Sequence, residues 1–310
     1  MHPAAHRASC IAVFTCLLSA CHNARVRSVA PSGDPSDRSA SRLQDLVEAT
    51  IRGFEGRVGV YVEHASGVRA EVHADEVFPT ASLIKVPILC ALYDGIAEGR
   101  IDPQQSLVWS KARVYPGEDL CAKLEDGAKI KLRDLVLLML SLSDNTASLW
   151  LQELAGTGTA INNWLAARGF DATRMNSRTP GREDAWKTYG WGQTSPREMA
   201  QLLRRLRDGV DLPPELARQA YRALCRTAWD DTALEPLPNG VEVGSKQGAV
   251  DASRSEVFLV HAPHGDYVAC IITKDQVDRS WKRENAGFDL LRRLSAALWD
   301  FFEGRRNMRP

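Results

Sequence analysis

The amino-acid sequence predicts an α+β fold: an antiparallel five-stranded sheet built from both chain ends and flanked by helices, with a separate all-α lobe. Strand-like text lies only near the N-terminal third and near the C-terminus, the stretch between reads as helices, and amphipathic helices open and close the domain. A cleft between the two lobes is the expected active site. With 310 residues and 44% hydrophobic content the chain can bury a core of ordinary size. Its 39 basic and 39 acidic side chains cancel, which removes any overall pull toward nucleic acid. No apolar run approaches the roughly 20 residues that a membrane-spanning helix needs.

Arg7 precedes an apolar stretch, residues 10–20, of secretory-signal length that leads into Leu18-Ser19-Ala20-Cys21. This run resembles a bacterial lipobox. The resemblance implies a signal peptide over 1–20, cleavage before Cys21, and lipidation of that thiol. The membrane contact would then be the N-terminal lipid, on the periplasmic or extracytoplasmic face of the bacterial cell envelope. Residues 21–41, with Pro31, Gly33 and Pro35 and almost no large apolar side chain, read as a flexible tether.

One domain is expected over 42–306, with an α/β lobe from about 42–81 and 195–306 and an α lobe from about 82–194. Ser41 and Gln44 make a capping box before Leu43, Leu46, Val47, Ile51 and Phe54 at helical spacing. Val58, Val60 and Val62 alternate into a strand, and Ser66-Gly67 turns it back over residues 68–73. Helices are expected over 83–98, 132–142, 146–155 and 160–167. Thr194-Ser195-Pro196-Arg197-Glu198 supplies a cap and an N1 proline for a helix through Leu206. Strands follow at 241–245, 257–261 and 267–273, and a last helix runs from about 284 to 302.

Cys90, Cys121, Cys225 and Cys270 allow three disulfide pairings, or none. His261 and His264 look like part of a hairpin turn, so neither a metal nor another cofactor is expected.

Three short motifs carry chemistry. Ser82 and Lys85 are three positions apart on one helical face, where burial and the helix dipole favour a neutral amine able to accept the serine proton. Ser143-Asp144-Asn145 is a polar triplet after a very apolar helix. Lys246-Gln247-Gly248 ends a strand, and its glycine permits close approach to the sheet edge. Together and in this order the motifs resemble the S-x-x-K, S-D-N and K-[ST]-G set of class A β-lactamases and penicillin-binding proteins.

That resemblance implies a serine hydrolase that opens a β-lactam or related amide or ester through an acyl-enzyme, acting as a monomer. Ser82 would be the nucleophile and Lys85 its activator. Ser143 would relay a proton to the leaving nitrogen, and Asn145 would hold Lys85 and the substrate amide. Lys246 would polarise Ser143, and the Ser82 and Ala249 N–H groups would form the oxyanion hole. Substrate contacts would come from Gln247, Gly248 and Ala249.

Two departures stand out. The family's glutamate in E-P-x-x-x-N, which activates the deacylating water, corresponds to Thr179, and its asparagine corresponds to Glu183. Glu183 or Asp184 is the candidate replacement base. Gln247 replaces a hydroxyl residue, so Arg254 is a candidate for the substrate carboxylate. Two further readings therefore stand beside a β-lactamase: a D-alanyl-D-alanine peptidase or penicillin-binding-like protein acting on cell-wall peptides, and a sensor that binds without turnover.

Overall fold

The computed structural model describes residues 35–304 apart from residue 118; the signal, Cys21 and the first part of the tether lie outside the described residues. In chain order the elements are α1 (Pro35–Ile51), β1 (Arg57–His64), β2 (Arg69–Val72), β3 (Phe78–Pro79), α2 (Lys85–Ala97), β4 (Ser106–Val108) and β5 (Lys129–Lys131). They continue with α3 (Leu132–Ser141), α4 (Asn145–Leu154), α5 (Thr157–Ala166), β6 (Arg174–Met175), α6 (Glu183–Tyr189), β7 (Gly192–Thr194), α7 (Pro196–Asp208) and α8 (Pro214–Leu224). The chain closes with β8 (Val243–Val250), β9 (Ser253–Val260), β10 (Tyr267–Lys274) and α9 (Ala286–Phe302).

The five-stranded sheet has the order β2-β1-β10-β9-β8 and is antiparallel throughout. Both chain ends thus meet in its centre, where β1 pairs with β10. Alternation sorts the side chains onto two buried faces. Val58, Val60, Phe258 and Ile271 pack with Leu43 and Val47 of α1 and Leu291 and Leu294 of α9. Tyr61, Val257, Leu259 and Ile272 face a larger core that includes Met199, Leu203, Tyr221 and the buried helix α2. Because both faces are covered, β10 is apolar from Tyr267 to Ile272 and β9 from Val257 to Val260.

Helix α1 starts at Pro35, six residues before the expected cap at Ser41, so the tether boundary at 41 is corrected. Proline suits the first helical turn and Asp37 favours the positive end of the helix dipole. Two helices, α6 and α8, were not expected. In α8 the buried Ala217, Ala220, Tyr221 and Leu224 follow Pro214 at helical spacing. The cap at Ser195 is present, its side chain accepting the Glu198 N–H. All four described cysteines are free thiols.

Candidate active site

Ser82 lies on a 3-10 turn, Ala81–Ile84, that runs into α2. Side chains at i and i+3 eclipse in such a turn, a spacing that favours Ser82 and Lys85 on one side of the chain. Ala81 enters the turn at φ 44°, a left-handed conformation that costs a non-glycine residue about 1–3 kcal/mol. Ser143 is held at φ 59°. Backbone strain is therefore stored beside two of the three motifs.

Lys85 is fully buried. Its Nζ donates to the Ser143 carbonyl at 2.5 Å and to Asn145 Oδ1 at 2.9 Å, and it lies 3.0 Å from Ser143 Oγ. Desolvation presses its pKa from 10.5 to about 7, against the opposing charges of Asp119 and Asp144. The partner set fits both protonation states. Two partners only accept, whereas the hydroxyl can accept from an ammonium or donate to a free amine lone pair.

The polar triplet is positioned by the end of the apolar helix α3 and the start of α4. Asp144 caps α4 through the Ala147 N–H at 2.8 Å, and its second oxygen takes the Cys121 N–H at 2.8 Å. Asp119 accepts the Asn145 and Thr146 N–H groups and the Thr146 hydroxyl, at 3.0, 2.8 and 2.8 Å. The sequence reading missed Asp119, which sits in an irregular loop with no periodicity to mark it. Both carboxylates serve α4's N-terminus and, through it, Asn145.

Strand β8 runs on to Val250, so Lys246-Gln247-Gly248 lies within it and not at its end as expected, and it brings Gln247, Gly248 and Ala249 to the same groove. A Cβ on Gly248 would sit 2.8 Å from the Thr80 carbonyl and 3.0 Å from the Ser82 nitrogen. The glycine's close neighbours are thus Ser255 Oγ, 2.7 Å from such a Cβ, and the turn carrying Ser82. Lys246 is buried and donates to the Gln247 carbonyl at 2.8 Å. Burial, then the nearby Lys85 charge, push its pKa well below the ordinary lysine value. Opposing this is Glu256, a second residue missed in the sequence. Fully buried on β9, it accepts from Ser245 Oγ at 2.6 Å, Thr232 Oγ1 at 2.6 Å and the Ala233 N–H at 3.0 Å.

From Ser82 the groove opens in two arms. One, about 580 Å³, runs past Tyr115, Tyr189, Trp191 and Val250. The other, about 470 Å³, contains Ser143, Gln247 and Gly248 and continues to Trp229 and Trp281. Ser82, Asn145 and Ala249 belong to both.

Five expected site residues are not in either wall: Lys85 and Lys246, both buried, and Thr179, Glu183 and Arg254. Thr179 is buried, donates to the Ser177 carbonyl at 2.9 Å and presses on Gly158, where a Cβ would meet its hydroxyl at 1.8 Å. Glu183, the first residue of α6, is exposed and accepts the Gly181 N–H at 3.1 Å. Arg254 is fully buried. Its guanidinium is spent on the carbonyls of Val250, Ser253 and Ser280, between the rings of Trp281 and Phe288. The expected carboxylate contact is corrected accordingly, since those carbonyls occupy its fork.

Comparison with known proteins gives a consistent picture. Residues 38–302 match the model of the beta-lactamase enzyme family. The extended-spectrum beta-lactamase PER-1 of Pseudomonas aeruginosa is 22% identical over 256 residues, 78% of this chain and 82% of that protein. The solved structure of PBP-A is 26% identical with a TM-score of 0.74, covering 86% of this chain and 96% of that one; a mutant of PBP-A has been solved as an acyl-enzyme complex with penicillin G. The TLA-1 extended-spectrum beta-lactamase shares the fold at a TM-score of 0.76 and 17% identity, covering 85% and 99%.

Proposed function

The chain belongs to the beta-lactamase enzyme family, and from that premise we propose that it is an extracytoplasmic serine hydrolase that forms an acyl-enzyme at Ser82 with a β-lactam or a related amide. The observation that carries this reading is the buried Lys85 amine, poised near neutrality and bonded to Ser143 and Asn145.

In the proposed reaction Lys85, neutral above about pH 7, takes the Ser82 proton as Oγ attacks the substrate carbonyl. The Ser82 and Ala249 N–H groups stabilise the oxyanion, an effect worth about 3–4 kcal/mol for one such donor. The proton passes through the Lys85–Ser143 contact to the leaving nitrogen, the C–N bond breaks, and the acyl group remains on Ser82. Lys246, its pKa lowered by burial and by Lys85 against the opposing charge of Glu256, contributes a buried amine bonded to the Gln247 carbonyl. Gln247 supplies the amide donor on the side where the family has a hydroxyl.

Slow release is the second part of the proposal. A threonine cannot serve as a general base at neutral pH, and neither Thr179 nor Glu183 lines the groove. This favours a penicillin-binding-like protein with a long-lived acyl-enzyme over a rapid hydrolase. Incubation with penicillin G followed by intact-mass measurement should show one adduct that persists for many minutes and that Ser82→Ala abolishes. An adduct retained by Ser82→Ala would overturn the nucleophile, and release within seconds would overturn the slow step.

A further inference from the structure

The arm that contains Ser143 does not stop at Gln247. It continues to an aromatic side chain that is both exposed and firmly held. Trp281 leaves 61% of its surface open, yet its Nε1–H donates to Asp251 Oδ1 at 3.3 Å and its ring lies 4.5 Å from the centre of the Arg254 guanidinium. Arg254 is itself held by three backbone carbonyls and lies 4.6 Å from the centre of the Phe288 ring. Among the described residues Arg254 has no ion pair, only the longer-range charges of Asp278 and Asp251, and its position serves to fix a tryptophan.

The direction of the arm sets what would reach that ring. Ser143 lines this arm and not the other, so the nitrogen it protonates, and everything attached to that nitrogen, must extend this way. Trp229, 46% exposed, lines the same arm. A rigid aromatic face on a cavity wall is suited to stacking, because no side-chain freedom is lost when a planar group settles on it.

We propose that Trp281, held on the Arg254 guanidinium, is a stacking platform for a planar aromatic group carried on the amine half of the substrate. This deepens the acyl-enzyme reading and rests on it. The substrates favoured are those whose leaving-side portion ends in an aromatic ring.

The test uses two β-lactams with the same acyl side chain, one bearing an aromatic substituent on the amine-side ring and the other a methyl group there. Second-order labelling of Ser82 is followed by intact mass. The wild-type chain should favour the aromatic compound about threefold to tenfold. Trp281→Ala should bring the ratio of rates close to one, and Trp281→Phe, which keeps a ring, should retain most of it. A ratio of one in the wild type, or an unchanged ratio in Trp281→Ala, overturns the platform while leaving the acyl-enzyme intact. Failure of both compounds to label Ser82 overturns the acyl-enzyme reading and the platform with it.

Discussion

The groove around Lys85 and the segment from Thr179 to Tyr189 belong to one domain but are built to different standards. Around Lys85, residues from a 3-10 turn, two helix N-termini and a strand converge, the lysines are buried, and Asp119 and Asp144 take up the N–H groups of α4's first turn. In the other segment, Thr179 turns into the packing against Gly158, and Glu183 and Asp184 stand at the exposed start of α6. Burial with satisfied partners is what shifts a pKa into a useful range, and only the first region has it. The difference teaches that forming an acyl-enzyme and releasing it can be separately provided in one fold.

The largest test of that contrast removes the amine. Lys85→Ala should slow Ser82 acylation by about 10²–10⁴, the usual contribution of a positioned base. In the wild type the acylation rate should rise through a limb near pH 7 and fall away below it as Lys85 takes up a proton. The same shift has a stability counterpart. Between pH 7 and 10.5 the unfolded chain holds the lysine proton that the folded chain has lost, so stability should increase with pH across that window. An acylation rate flat from pH 5 to 9 would break the contrast on its strong side.

A smaller effect is expected at the junction of β8 and the Ser82 turn. Gly248→Ala places a methyl group 2.8 Å from the Thr80 carbonyl, an overpacking that typically costs about 1–3 kcal/mol. Displacing the turn by a fraction of an ångström should slow acylation by about 10–100-fold, with a lowered Tm. Thermal melts and single-turnover labelling measure the two together.

The smallest effect is expected where the second region is weak. Glu183→Gln should change the release rate of the acyl group by less than about twofold, because its carboxylate lies outside both arms. A release rate that drops by 10² or more would show that α6 swings Glu183 into the groove once substrate is bound.

Much of the fold was legible. Alternation marked β1, helical spacing and caps marked α1, α7 and α9, and the hydrophobic run at 132–142 became α3. What was missed, α6, α8 and the two- or three-residue strands β3 to β7, lay in short segments, some rich in charge or starting at a proline pair, where a period has little room to show. At the site, Ser82, Lys85, Ser143, Asn145 and Lys246 stood out as candidates through three motifs that, taken together and in order, resemble a known family's set. Asp119 and Glu256 could not, since each acts on a residue distant in sequence or across a strand pair, and no local pattern records that relation.

By itself, then, the sequence determined which residues can do chemistry and which segments form strands and helices, because hydrogen-bonding capacity, spacing and hydrophobic period are local properties. Tertiary structure alone decided which of those residues face one another. It bonded Lys85 to Ser143 out of water, brought the Glu256 charge to bear on Lys246, and placed Arg254 outside both arms, against Trp281. Burial and orientation depend on what the rest of the chain packs around a side chain, and they control its charge and its reach.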